Sequence, residues 1–79
     1  MAIKSYLAHP LSGQKKQLIN ELSTLNNCEI IPAENKDLIV LITETESDTE
    51  DKILKEKIET LDSLKLLALV SGFNSPKNN

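Results

Sequence analysis

The segment Asp37-Leu38-Ile39-Val40-Leu41-Ile42-Thr43-Glu44 is apolar at odd and even positions alike. A β-branched run of this kind predicts a strand over 37–44 with apolar side chains on both faces. Both faces then need cover. The remaining chain has periodicity for only two helices, and two helices packed side by side shield one face of a sheet.

The flanking patterns complete the architecture. Residues 2–9 alternate as a strand, and Pro10 ends it because it offers no N–H to a ladder. Residues 13–25 predict a helix with Ser12 as N-cap and a stripe of Leu18, Ile19, Leu22 and Leu25. Asn26 and Asn27 stop it, since Asn tolerates the left-handed conformation. Cys28–Pro32 is a short strand and 33–36 a turn-rich link. Ser47 and Glu50 have capping-box spacing at the head of a second helix over 48–61, striped by Ile53, Leu54, Ile58 and Leu61, with Asp51 and Lys55 as a pair four residues apart. Residues 65–72 form a last strand.

The order β-α-β-β-α-β predicts an α+β, ferredoxin-like fold: a four-stranded antiparallel sheet with two helices on one face and the first and third strands central. With 79 residues the chain has room for one domain, placed at 1–73, followed by a flexible polar tail at 74–79.

The register of the sheet follows from its polar residues. Lys4, Glu29, Asp37 and Lys65 are assigned to the uncovered side, because a one-residue slip drives the lysines and Asp37 inward. This assignment places Ile3, Leu7, Cys28, Ile30, Leu38, Val40, Ile42, Leu66, Ala68 and Val70 beneath the helices. It leaves Tyr6, Ala8, Ile31, Ile39, Leu41, Leu67 and Leu69 on the open face. So many uncovered aliphatic groups point to an interaction surface.

Composition removes several function classes. Acidic residues outnumber basic ones 12 to 9, for a net charge of −3, and every basic residue other than His9 is lysine. Without arginine, a basic face or stacking aromatics, neither nucleic acid nor an anionic membrane is expected as a partner. His9 is the only histidine and Cys28 the only cysteine, so no metal cluster, internal disulfide or Ser-His-Asp set is expected. The two glycines, Gly13 and Gly72, form no phosphate-cradling loop. The acidic run Glu44, Glu46, Asp48, Glu50 and Asp51 reads as a solvated helix entrance that complements the helix dipole or, alternatively, as an electrostatic partner for a basic peptide. The chain is expected to be no enzyme and to hold no cofactor. Residues 1–13, interrupted by Lys4 and Ser5, lack a signal-peptide pattern, and no segment approaches the ~20 apolar residues of a membrane span, so a cytoplasmic location is expected.

The runs Ser5-Tyr6-Leu7-Ala8-His9-Pro10, Cys28-Glu29-Ile30-Ile31-Pro32-Ala33-Glu34, Asp37–Ile42 and Leu66-Leu67-Ala68-Leu69-Val70 resemble the NapD family. Members are cytoplasmic chaperones for the catalytic subunit of periplasmic nitrate reductase. The likeness spans residues 3–73. It implies binding of the twin-arginine signal peptide of the reductase precursor, as a helix against the sheet, so that export waits for insertion of the molybdenum cofactor. The chaperone itself would not hold that cofactor. On this resemblance Glu29, Glu34, Asp37 and Glu44 are candidate partners for the paired arginines. The free protein is expected to be a monomer or weak homodimer. The competing reading is a regulatory ligand-binding or dimerisation module of the same fold. An acylphosphatase-like enzyme would need an arginine for phosphate, and the chain has none.

Overall fold

A computed structural model describes the backbone of residues 2–74 and the side chains of residues 2–71. Its elements are β1 (Ala2–Pro10), α1 (Lys15–Ser23), β2 (Cys28–Pro32), β3 (Ile39–Thr45), α2 (Asp48–Glu59) and β4 (Leu64–Asn74). The strands form one four-stranded sheet in the order β2-β3-β1-β4, with every neighbouring pair antiparallel. This is the expected ferredoxin-like α+β fold, with β1 and β3 central. The tail expected at 74–79 lies outside the described residues, apart from the backbone of Asn74, which closes β4.

Local chemistry sets the ends of the helices. α1 starts two residues after its predicted start, and its N-cap is Gln14 rather than Ser12, with no side-chain cap. Gly13 adopts φ 77, a conformation open to glycine, within a turn closed by the Gln14 N–H donating to the Leu11 carbonyl at 2.9 Å. At the other end, the Ser23 and Thr24 hydroxyls donate to the Ile19 and Glu21 carbonyls, and Asn27 takes φ 66, as its predicted stop role requires. In α2 the Ser47 hydroxyl accepts from the Glu50 N–H at 3.2 Å. The Glu50 carboxylate reaches back to the Glu46 N–H, one residue before the cap, at 3.0 Å. Asp51 pairs with Lys4 of β1 instead of Lys55, and Lys55 pairs with Glu59 at 3.8 Å.

The core consists of Tyr6 and Ala8 from β1, Ile39 and Leu41 from β3, Leu18 and Leu22 from α1 and Ile58 from α2. Cys28, Ile30, Leu54, Leu64 and Leu67 pack around it. The covered face of the sheet is therefore the opposite of the predicted one. Tyr6, Ala8, Ile39 and Leu41 are buried under the helices, and Leu67 is half-buried against them. Ile3, Leu7, Val40, Ile42, Leu66 and Ala68 take the uncovered side. Only β2 has its predicted orientation, with Cys28 and Ile30 inward and Ile31 outward.

The residues used to set the register explain the inversion. Lys4 lies on the covered side at the end of the sheet, where its ammonium meets the Asp51 carboxylate. Asp37 precedes β3, and so does Leu38, whose carbonyl accepts from the Ala33 N–H at 3.0 Å. Lys65 is the extra residue where His9 pairs with Leu66 and Pro10 with Leu64. A second irregularity follows: Tyr6 pairs with Leu69 and Ser5 with Ser71, so Val70 is an inserted bulge residue that switches the parity of β4.

Candidate binding face

The strand register aligns the uncovered residues into rows across the sheet. Ile31 pairs with Val40, Val40 with Leu7 and Leu7 with Ala68, an apolar row that crosses all four strands. One row toward the chain start of β1, Glu29, Ile42, Ser5 and Ser71 stand abreast, and beyond them Glu44 pairs with Ile3. On the other side of the apolar row, His9 pairs with Leu66. Ile31 and Leu66, at 50% and 54% exposure, are the most open aliphatic side chains of these rows, and Ile3, Leu7, Val40 and Ile42 are half-buried by their neighbours.

Spacing fixes the size of this surface. Four strands at ~4.8 Å and six residues of rise along β1 give a patch about 15 Å by 20 Å, or about 300 Å². That suits one helix, which with its side chains is ~10–12 Å across and covers ~20 Å in about 13 residues. It falls well short of the ~800 Å² per partner of a standard protein interface, so sheet-on-sheet pairing of two copies is poorly served by this face alone.

One corner of the face is acidic. A shallow cavity of about 400 Å³ is lined by Asn27, Cys28, Glu29, Ile42, Glu44 and Glu46. Its three carboxylates are exposed and form no ion pair among the described residues. No lysine lines it. Exposed Lys65 lies in the bulge at the opposite end of the sheet. Two of the four acids expected to meet arginines, Glu29 and Glu44, are brought together here. Glu34 and Asp37 are not: both sit in the link beyond the far end of β2, where Lys15 donates to the Ala33 and Lys36 carbonyls. Glu46 completes the corner, and its signal in the sequence was its place in the Glu44–Asp51 acidic run.

Of the seven residues expected to form the apolar site, only Ile31 lies on the open face. Leu69 is 58% exposed, but it pairs with Tyr6 on the covered side and owes its exposure to the β4 edge. Burial pushes the Cys28 thiol above its ordinary value, which keeps it protonated and a poor nucleophile. Among the described residues no group of three or more His, Cys, Asp or Glu converges to hold a metal ion, and no described helix is long and apolar enough to cross a membrane.

No family model matches the chain, and no curated protein matches it. Among solved structures the chain is similar to the crystal structure of hypothetical protein PHS023 from Pyrococcus horikoshii. The TM-score is 0.74 at 18% identity, over 96% of this chain and 93% of that one. A likeness at this identity shows the shared fold.

Proposed function

We propose that the chain is a peptide-binding chaperone that holds a twin-arginine signal peptide on its open sheet face. The peptide would be that of a periplasmic nitrate reductase precursor, held in the cytoplasm so that export waits for maturation. The observation that carries this reading is the apolar row Ile31, Val40, Leu7 and Ala68, left uncovered by the helices beside the carboxylates of Glu29, Glu44 and Glu46, which have no ion-pair partner among the described residues.

A signal peptide of this class has an apolar stretch and a basic end, and the face has a counterpart for each. Laid as a helix along the strands, the apolar stretch covers the rows from Leu66 to Ile3, the helix-in-groove mode of recognition. The guanidinium pair meets the acidic corner through charge-assisted bonds that lysine forms less well. Covering about 300 Å² here, with an equal area of peptide, offers at most about 15 kcal/mol before the costs of association and helix ordering, a ceiling that Ser5, Ser71 and Glu29 in the face lower. A micromolar affinity needs only about 8 kcal/mol net.

Calorimetry with a synthetic twin-arginine signal peptide tests the proposal. Saturable binding is expected, micromolar or tighter. A twin-lysine peptide should bind several-fold more weakly, and added salt should weaken both. Absence of binding, or equal affinity for a scrambled peptide of the same composition, rejects the reading.

A further inference from the structure

The two edges of the sheet differ. β2 and β4 are its outer strands. β2 has five residues and ends in Pro32, which has no N–H to offer, and the link after it is held by Lys15. β4 runs from Leu64 to Asn74, and β1 is its one strand neighbour among the described residues. Residues 66–72 of β4 contain neither a charge nor a proline. Leu66, Leu69 and Val70 there are three of the six large apolar side chains that stand exposed among the described residues. Sheet edges are usually blunted by charge, proline or brevity, and this one is not.

The hydrogen-bond ladder shows which backbone groups of β4 are unspent. The Ala33 N–H donates to the Leu38 carbonyl at 3.0 Å, one step beyond the Pro32–Ile39 pair. Pro32 and Ile39 are therefore a wide pair, whose own N–H and C=O groups point away from each other. Ile39 turns its groups toward Ala8, so along β1 Ala8 and Tyr6 bond to β3 and Leu7 bonds to β4. The other end of β1 agrees: the Leu11 N–H donates to the Ser63 carbonyl at 2.8 Å, which makes Pro10–Leu64 a wide pair as well. In β4, Ala68 is spent on Leu7. Leu67 and Leu69, opposite Ala8 and Tyr6, present their N–H and C=O groups outward.

We propose that this edge pairs with the same edge of a second copy, antiparallel about a two-fold axis at Ala68. In that register Leu67 and the partner's Leu69 exchange both N–H···O bonds, and so do Leu69 and the partner's Leu67. The two Ala68 residues form the wide pair between them, where side chains approach closely and a methyl group fits. Leu66 lies opposite the partner's Val70. Lys65 lies opposite the partner's Ser71, which keeps the two lysines about 20 Å apart. A shift by two residues either way loses this match: it sets Leu69 against the partner's Lys65, or Leu67 against the partner's Ser71. With β2 blocked, each copy has one such edge, so the assembly closes as a pair rather than growing into a fibre. The contact is five residues, about 17 Å, long, which places the pair in the small, transient class of interfaces. Pairing joins two four-stranded sheets with their uncovered sides facing the same way. The row Ile31, Val40, Leu7 and Ala68 then continues through the partner's Ala68. The bonds use the edge and not the open face, so the pairing is independent of the peptide proposal.

Amide hydrogen exchange followed by NMR, from about 20 µM to about 2 mM chain, tests the pairing, with sedimentation velocity over the same range. The Leu67 and Leu69 amides are expected to slow at least roughly tenfold with concentration as a monomer passes into a dimer. The Ile30 amide, which faces outward at the β2 edge, should not change. Leu69→Lys should keep the chain monomeric at about 2 mM with the Tm of dilute wild type, and Val70→Lys, a change at another exposed edge position, should do the same. A monomer at every concentration overturns the proposal. So does slowing at Ile30 in place of Leu67 and Leu69, growth beyond a dimer, or wild-type association in either lysine variant.

Discussion

The Lys4 ammonium donates to the Asp51 carboxylate, tying central strand β1 to the first turn of α2 across the covered side of the sheet. The two side chains are 28% and 9% exposed, between the regime of surface pairs and that of buried ones. Lys4→Met leaves the more buried Asp51 without its partner and should cost about 1–3 kcal/mol, with Lys4→Met/Asp51→Leu recovering much of the loss. Urea unfolding of the three chains at neutral pH checks this.

The same contact shapes stability at high pH. The hydrogen bond to Asp51, first among the causes, raises the Lys4 pKa above its ordinary 10.5, and burial raises that of Tyr6 above 10.0. In both groups the folded state holds its proton more tightly than the unfolded chain. The stability they confer is complete below the unfolded values and declines as pH rises through the folded ones. Unfolding midpoints should therefore fall above about pH 10. Lys4→Met should keep only the Tyr6 part of that fall, and Tyr6→Phe only the Lys4 part.

Neighbouring residues in β3 have opposite fates. Ile39 is fully buried against α1 and α2, whereas Val40 lies half-exposed in the apolar row. Ile39→Ala should cost about 2–5 kcal/mol, the cost of a core cavity. Val40→Thr should cost less than about 1 kcal/mol and instead weaken peptide binding. Denaturation and calorimetry on the two variants separate these roles.

At the head of α2, Ser47→Ala removes the acceptor for the Glu50 N–H and should destabilise the chain by about 1 kcal/mol, with Ser47→Gly costing only a few tenths. Thermal melts of both variants give the comparison.

Much of the fold is legible from local chemistry. The capping pair Ser47 and Glu50, the left-handed Asn27, the paired stripes of Leu18 with Leu22 and of Leu54 with Ile58, and the limits of β2 all follow from residue type and spacing. The orientation of the sheet does not, because β3 is apolar at both parities and polar residues elsewhere must decide it. Each of the three chosen markers fails for its own reason: Lys4 has a buried partner 47 residues away, Asp37 falls outside its strand, and Lys65 sits in a bulge. The long-range pairing of Glu29 with Ile42 sets the true parity, and only the assembled sheet reveals it. The acidic corner was half legible, since Glu29 and Glu44 converge through that same register while Glu34 and Asp37 are carried away by the β2–β3 link.

Peptide binding depends on a sheet side that the chain's own helices leave bare, apolar in the middle and acidic at one corner. Its most direct test is an NMR titration of the labelled chain with the twin-arginine signal peptide, in the wild type and in Glu29→Gln/Glu44→Gln. Saturable shifts should cluster on the amides of Leu7, Ile31, Val40 and Ile42, and the double variant should bind roughly tenfold more weakly at low salt with unchanged Tm. Shifts confined to α1 and α2, or no saturable shift anywhere, would contradict the account.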